Sequence, residues 1–167
     1  MLTPVDKSIE WVDPVADPRS GDVATRDTAR VPGRLRDVLS TMADDLVSRL
    51  HADACAISRV IGDVLIIVAE RTPDGETLQQ GQGFLVSDFP QTADVLHSRE
   101  PRALTLDDPD LDAAEADVLR EYGFGSLLML ALELDGSAWG LVEVYRNERR
   151  AFSDAEITLA RELTRVT

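Results

Sequence analysis

From Pro32 onward apolar residues recur at helical spacing. Leu35, Val38, Leu39, Met42, Leu46, Val47 and Leu50 fall on one face, with Arg36, Asp44 and Arg49 off it. This predicts an amphipathic helix of about four turns. Strand signals follow. Ala54 to Ile61 and Val64 to Glu70 are β-compatible runs joined by Gly62-Asp63, a pair that suits a tight hairpin. The turn residues Pro73-Asp74-Gly75 lead into a short strand expected near Thr77 to Gln80, and Gly81-Gln82-Gly83 reads as a loop. Gln91 to Arg99 has short helical character with Val95 and Leu96 inward, and Ala103 to Leu106 is strand-like after Pro101. Asp107 to Asp112 supplies N-cap residues for a helix through Ala114, Val118, Leu119 and Tyr122. Gly123 stands where a left-handed C-cap belongs.

The last hairpin is the clearest. Ser126 to Leu134 and Ser137 to Tyr145 flank Asp135-Gly136, and both runs are too apolar to leave either side of the sheet in water. Ser153-Asp154-Ala155-Glu156 is a capping box, opening a final helix whose stripe is Ile157, Ala160, Leu163 and Val166. Consecutive strands between helices predict an α+β fold: an antiparallel sheet of five or six strands with helices covering both faces.

Residues 1–31 break from this pattern. They hold Pro4, Pro14, Pro18 and Gly21 among many charges, and read as an acidic arm with Trp11 and Val12 as its only apolar anchor. The folded domain is expected at 32–167. Net charge is −14 and the sole lysine is Lys7, so the phosphate-neutralising surface of a nucleic-acid binder is absent, and an anionic membrane surface is disfavoured likewise. No signal peptide or spanning segment is visible, which makes a cytoplasmic location the expectation. Cys55 is the only cysteine, and with His51 and His97 it makes a poor zinc ligand set.

From about Arg34 to the end, the ordered segments resemble the GAF family. Ala52-Asp53-Ala54-Cys55-Ala56-Ile57 resembles its first strand. Val95 to Leu106, with Arg99-Glu100-Pro101 and the following Asp107-Asp108, is similar to its helix, turn, proline and strand passage. Tyr122-Gly123-Phe124-Gly125-Ser126-Leu127 resembles the approach to its penultimate strand, Trp139-Gly140-Leu141-Val142-Glu143-Val144 its last strand, and Phe152-Ser153-Asp154-Ala155-Glu156 the opening of its closing helix. PAS domains share the layout, but the long opening helix and the Phe152 to Glu156 passage favour GAF. The resemblance implies a ligand-binding or dimerising module of a signalling protein. Family members bind cyclic nucleotides, bilins, haem or small metabolites, and one branch reduces methionine sulfoxide with cysteines.

The residues speak against most of those chemistries. The cyclic-nucleotide pattern needs Asn-Lys and a later Asp-Glu pair, whereas Glu148 follows Asn147 and Glu156-Ile157 stands in place of the pair. A thiol reductase needs a resolving cysteine that Cys55 lacks. Glu115 to Gly125 holds no Cys-His pair for a bilin, and His97, the only helical haem-ligand candidate, sits among Ser98, Arg99 and Glu100 like a solvated helix-end residue. Asp107, Asp108, Asp110 and Asp112 lack the order and closing glutamate of a calcium loop. Gly81-Gln82-Gly83 lacks the third glycine or following lysine of a phosphate loop.

Two strand charges stand out. Arg59 shares a strand face with Cys55 and Ile57, and Glu143 is expected on one face with Trp139, Leu141 and Tyr145. A charge on a covered sheet must be paired, reach an edge or face a pocket. The candidate ligand pocket is Arg59 and Glu143 lined by Phe84, Tyr122, Phe124 and Trp139. The expected function is a non-enzymatic, small-molecule-sensing or regulatory GAF-like domain that signals through its terminal helices. Homodimerisation through those helices and a C-terminal output domain or partner protein are expected with it. The alternative is a ligand-free dimerisation or protein-interaction module. The sequence names no cofactor and no metal.

Overall fold

The computed structural model describes residues 33–75 and 81–165. The expectations for the N-terminal arm, for a strand at 77–80 and for Val166 lie outside the described residues. The chain opens with helix α1 (Gly33–Leu50) and the hairpin β1 (Ala54–Ile61) and β2 (Val64–Arg71). A three-residue strand β3 (Gly83–Leu85), a 3₁₀ turn at Val86–Asp88, helix α2 (Pro90–Ser98), strand β4 (Arg102–Thr105) and helix α3 (Ala113–Tyr122) make up the middle. The hairpin β5 (Ser126–Leu134) and β6 (Ser137–Arg146), then helix α4 (Asp154–Leu163), complete the fold. The six strands form one antiparallel sheet in the order β3-β2-β1-β6-β5-β4. This is the expected α+β plan. β3 differs from expectation, because a strand of three residues is too short for alternation to reveal, and Gly83 already pairs with Ile66.

The sheet is covered on both sides. Leu39, Ala43, Leu46 and Leu50 of α1 bury their stripe against Cys55, Ile57, Val142 and Val144, and Ala160 of α4 joins them. On the other face, Val95 of α2 and Leu119 of α3 pack on Ala54, Ala56, Leu127, Met129 and Leu141. Val38 departs from its expected place and is 49% exposed. At 3.6 residues per turn it lies about 100° from Leu39, at the margin of the buried stripe.

Local signals set the element ends. Gly123 takes φ +74° as the C-cap of α3. Ser153 and Glu156 form the reciprocal capping box of α4. Gly140 is needed for a different reason: a Cβ there would overlap the Ser58 carbonyl oxygen of the neighbouring strand.

Two bulges decide which side chains face which layer. Between β5 and β6, Leu132 pairs with Gly140 and Glu133 with Ala138, leaving Trp139 as the extra residue. Strict alternation would put Trp139 beside Leu141, Glu143 and Tyr145, as expected from sequence. The bulge instead turns it to the α1 and α4 side. Between β1 and β2, Ile57 pairs with Ala69 and Ser58 with Ile67, so Val68 is extra. The frame of β2 shifts there, which carries Glu70 to the α2 and α3 side together with Leu65 and Ile67.

Candidate ligand site

Between the sheet and the α2–α3 layer lies a cavity of ≈ 100 Å³. Ala56 and Ser58 of β1, Ile67 and Glu70 of β2, and Glu143 and Tyr145 of β6 form its floor. Phe84 and Phe89 close one side, Thr92 and Glu115 form the roof, and Tyr122 and Phe124 close the other side. Its aromatic rings are in mutual contact. Phe124 stacks on Tyr145 with centroids 4.7 Å apart and on Tyr122 at 6.5 Å, while Phe84 meets Phe89 edge-on at 6.3 Å.

The roof is held by one aspartate. Asp112 Oδ1 accepts the Glu115 backbone N–H at 2.8 Å, capping α3. Its Oδ2 accepts the Gln91 N–H at 3.1 Å in the first turn of α2. One carboxylate thus serves two helix N-termini, where negative charge is favoured. It sets Thr92 beside Glu115, and Thr92 Oγ1 donates to Glu115 Oε1 at 2.6 Å. The expected helix-capping role of this acidic loop fits that geometry. Among the described residues no group of three acidic, histidine or cysteine side chains is placed to hold a metal.

The electrostatics of the cavity are one-sided. Glu115 is 2% exposed, and Glu143 is half-buried across the same space. Burial pushes the Glu115 carboxyl well above the ordinary carboxylate range; the Thr92 hydrogen bond opposes this, and the Asp112 charge adds to it. Burial also raises Glu143. The Glu115 charge adds to the rise, and the Tyr145 hydroxyl, donating to Glu143, offsets part of it. The Tyr145 hydroxyl is raised in turn by burial and by the two carboxyls. Among the described residues no lysine, arginine or histidine lines the cavity.

The six residues singled out from sequence divide into two sets. Phe84, Tyr122, Phe124 and Glu143 line the cavity. Arg59 and Trp139 do not. The β6 bulge places Trp139 against the α1 side, and the Arg59 guanidinium stands 5.8 Å from its ring centroid, on that same face. Glu70, Thr92, Glu115 and Tyr145 are site residues that sequence reasoning missed. A signal for Glu115 was present: Glu115, Leu119 and Tyr122 share one helical face by their spacing, so an inward leucine implies an inward glutamate.

Cys55 is fully buried on the opposite, α1-facing side of the sheet, away from the cavity. Its thiol is raised far above its ordinary value, chiefly by burial and then by the charges of Glu143 and Asp44. A small buried hydrophobe, as expected from sequence, describes it well.

Beyond the cavity, β6 ends in a buried cation. Arg146 is 2% exposed; its Nη2 donates to the Leu50 carbonyl at the end of α1 and to Glu156 Oε1 in the first turn of α4, both at 2.6 Å. The guanidinium lies 3.9 Å from the Phe152 ring centroid. Burial alone would raise the Glu156 carboxyl. The Arg146 hydrogen bond and charge, with bonds from Ser153, outweigh it and hold the group at about 2. One strand therefore carries Glu143 and Tyr145 into the cavity and ties both terminal helices at its end.

Comparison with known proteins gives the same architecture. The family model described as GAF domain matches residues 34–166. Among solved structures, the chain is similar to the blue-light absorbing form of the PixJ GAF domain of Thermosynechococcus elongatus. The TM-score is 0.64 at 20% identity, over 77% of this chain and 79% of that one. It is similar to the GAF domain of a two-component sensor histidine kinase from Bacillus halodurans, at TM-score 0.65 and 19% identity, over 78% of this chain and 88% of that one. It also resembles the chromophore-binding domain of the bacteriophytochrome RpBphP3 from R. palustris, at TM-score 0.63 and 15% identity. That match covers 78% of this chain and 52% of the longer one, so this chain spans about half of it. By sequence, no protein of curated function matches. Likeness at these identities concerns the fold, whereas the family model spans well over half of the 167 residues. The chain belongs to the GAF domain family.

Proposed function

We propose that this GAF domain is a non-enzymatic sensor of a small molecule in a cytoplasmic signalling protein, and that the cavity between the sheet and the α2–α3 layer is its binding site. The observation that carries the reading is a pair of carboxyls, the buried Glu115 and the half-buried Glu143, facing one aromatic-walled space. Burying acids without a countercharge destabilises the fold, so their presence is more readily explained by recognition than by packing.

The solved relatives include a GAF domain bound to phycocyanobilin. This chain offers a different site. Its one cysteine is buried on the far face of the sheet, and ≈ 100 Å³ is far too small for a tetrapyrrole. A cavity of about 150 Å³ accommodates benzene, which sets the ligand scale here at a handful of heavy atoms within the walls.

The two sides of β6 offer a route for signal transfer. A ligand that moves Glu143 or Tyr145 strains the strand whose last residue, Arg146, holds the end of α1 and the start of α4. The terminal helices contact each other on the far side of the sheet; in this proposal they carry the change to a second copy or to an output domain. Ligand binding shifts such an equilibrium only by its difference in affinity for the two arrangements.

The test is amide hydrogen exchange on the freshly purified chain, compared with the same chain unfolded, dialysed free of small molecules and refolded. The reading predicts slower exchange in α2, α3 and the facing ends of α1 and α4 before stripping. Identical protection in both samples, with no low-mass compound in the dialysate, contradicts it.

A further inference from the structure

We infer that the cavity takes a small protonated amine, with its ammonium between Glu115 and Glu143 and its apolar body against Phe124 and Tyr145. This deepens the sensing reading above and rests on it. Three observations point to this ligand class.

First, the polar side chains nearest the roof and floor are acidic or hydroxylic. Glu115 is almost wholly buried, Thr92 occupies its Oε1 at 2.6 Å, and no cationic side chain among the described residues balances it within the cavity. Neither Glu115 nor Glu143 forms an ion pair among the described residues, although several surface acids do. An anionic ligand would meet like charge with no donor to compensate. A purely apolar ligand would leave both carboxyls desolvated. An ammonium supplies the three donors and the charge the site lacks.

Second, the walls suit a cation with an apolar body. Phe124 and Tyr145 lie 4.7 Å apart at 23°, so a wide π-surface borders the acids. A cation near such a face is attracted by its quadrupole, more strongly when desolvated. Third, ≈ 100 Å³ admits a short aliphatic amine within the walls.

Burial raises both carboxyls in the empty site, with the Asp112 charge adding to the rise at Glu115 and the Glu115 charge adding to it at Glu143. An ammonium favours the ionised forms. Binding should therefore expel a proton to solvent from Glu115 or Glu143; Glu70, Glu121 and Tyr145 also border the space.

The experiment is isothermal titration of the chain with n-butylammonium, butan-1-ol and butyrate, three probes of equal length and different charge. Titrations at neutral pH in phosphate and in MOPS, neither of which offers a primary ammonium, reveal any proton release as a difference in apparent enthalpy. The inference predicts saturable binding of n-butylammonium at least tenfold tighter than either isostere, with a proton released. Glu115→Gln and Glu143→Gln should each weaken it at least tenfold while keeping the native far-ultraviolet dichroism. Nuclear Overhauser contacts from the butyl chain to the Phe124 and Tyr145 rings in the unsubstituted protein give a readout that survives if a variant misfolds. Tighter binding of butanol or butyrate overturns the amine and leaves a small-molecule site standing. Absence of binding by n-butylammonium, or binding that neither glutamine variant changes, overturns the inference, while the hydrogen-exchange comparison decides the sensing reading separately.

Discussion

Arg146→Met removes the cation that joins β6 to both terminal helices while keeping an unbranched apolar side chain over Phe152. Three contributions set the loss. The 2.6 Å bond to the Leu50 carbonyl is charge-assisted, and such bonds contribute about 1.5–3 kcal/mol. The Glu156 carboxyl is depressed from 4.5 to about 2, and full conversion of that shift gives about 3 kcal/mol. Its side chain is 22% exposed, and Ser153 and Arg150 also bond to it, so the share belonging to Arg146 is nearer 1–2 kcal/mol. The guanidinium over Phe152 adds about 1 kcal/mol. Recovered desolvation of the arginine offsets part of this, and a net loss of about 4 kcal/mol is expected, in the range for breaking one side of a buried pair. With a urea m-value of about 2 kcal/mol/M, the midpoint should fall by about 2 M at unchanged m.

The same contact fixes an acid signature. Glu156 has a folded-state pKa below its unfolded one, so its contribution is complete above the unfolded value of 4.5. It is lost as pH falls toward about 2. Urea midpoints of the parent chain measured between pH 5 and pH 2.5 should therefore decline more steeply than those of Arg146→Met. A midpoint shift below about 0.5 M, or parallel acid slopes in the two proteins, would refute the assignment of Arg146 as the joint.

Gly140→Ala places a Cβ on the Ser58 carbonyl at the centre of the sheet, and should lower stability by at least about 2 kcal/mol in the same urea assay; a neutral effect would mean that β1 and β6 separate freely there. Glu143→Gln acts with the opposite sign. The raised carboxyl of the empty site binds a proton that the unfolded chain has released, so stability of the parent should fall as pH rises from about 4.5 through neutrality. The variant should flatten that decline and gain about 1–2 kcal/mol at pH 8, measured on ligand-stripped protein; equal slopes would contradict the placement of Glu143 in the cavity. Cys55, fully buried with its thiol raised, should react with a thiol reagent such as DTNB only at the rate of unfolding, so a fast native reaction would contradict its place in the core.

Much of this architecture is legible in the sequence, because its signals are local. The α1 stripe, the Asp135-Gly136 turn, the αL Gly123 and the Ser153–Glu156 box each arise within a few residues, and each stands where its pattern places it, Val38 at the margin of the stripe excepted. The candidate site was readable only in half. Phe84, Tyr122, Phe124 and Glu143 line the cavity, but Trp139 and Arg59 meet on the other face. One inserted residue reverses the alternation of β6, and nothing in Ala138-Trp139-Gly140 announces a bulge, because register belongs to the pair of strands rather than to either one. Thr92 and Glu115 were harder still. They come together through Asp112, which caps two helices separated by β4, and a tertiary bond of that kind leaves no trace in periodicity.

The central claim is that the cavity holds a small molecule. Its most direct test is native mass spectrometry of the freshly purified chain beside Ala56→Leu, whose longer side chain projects into the cavity from the middle of β1. The account predicts a low-mass adduct on the parent chain that is missing from the folded variant, with the mass reporting the ligand. A parent chain without added mass, or an adduct that Ala56→Leu retains in full, would contradict it.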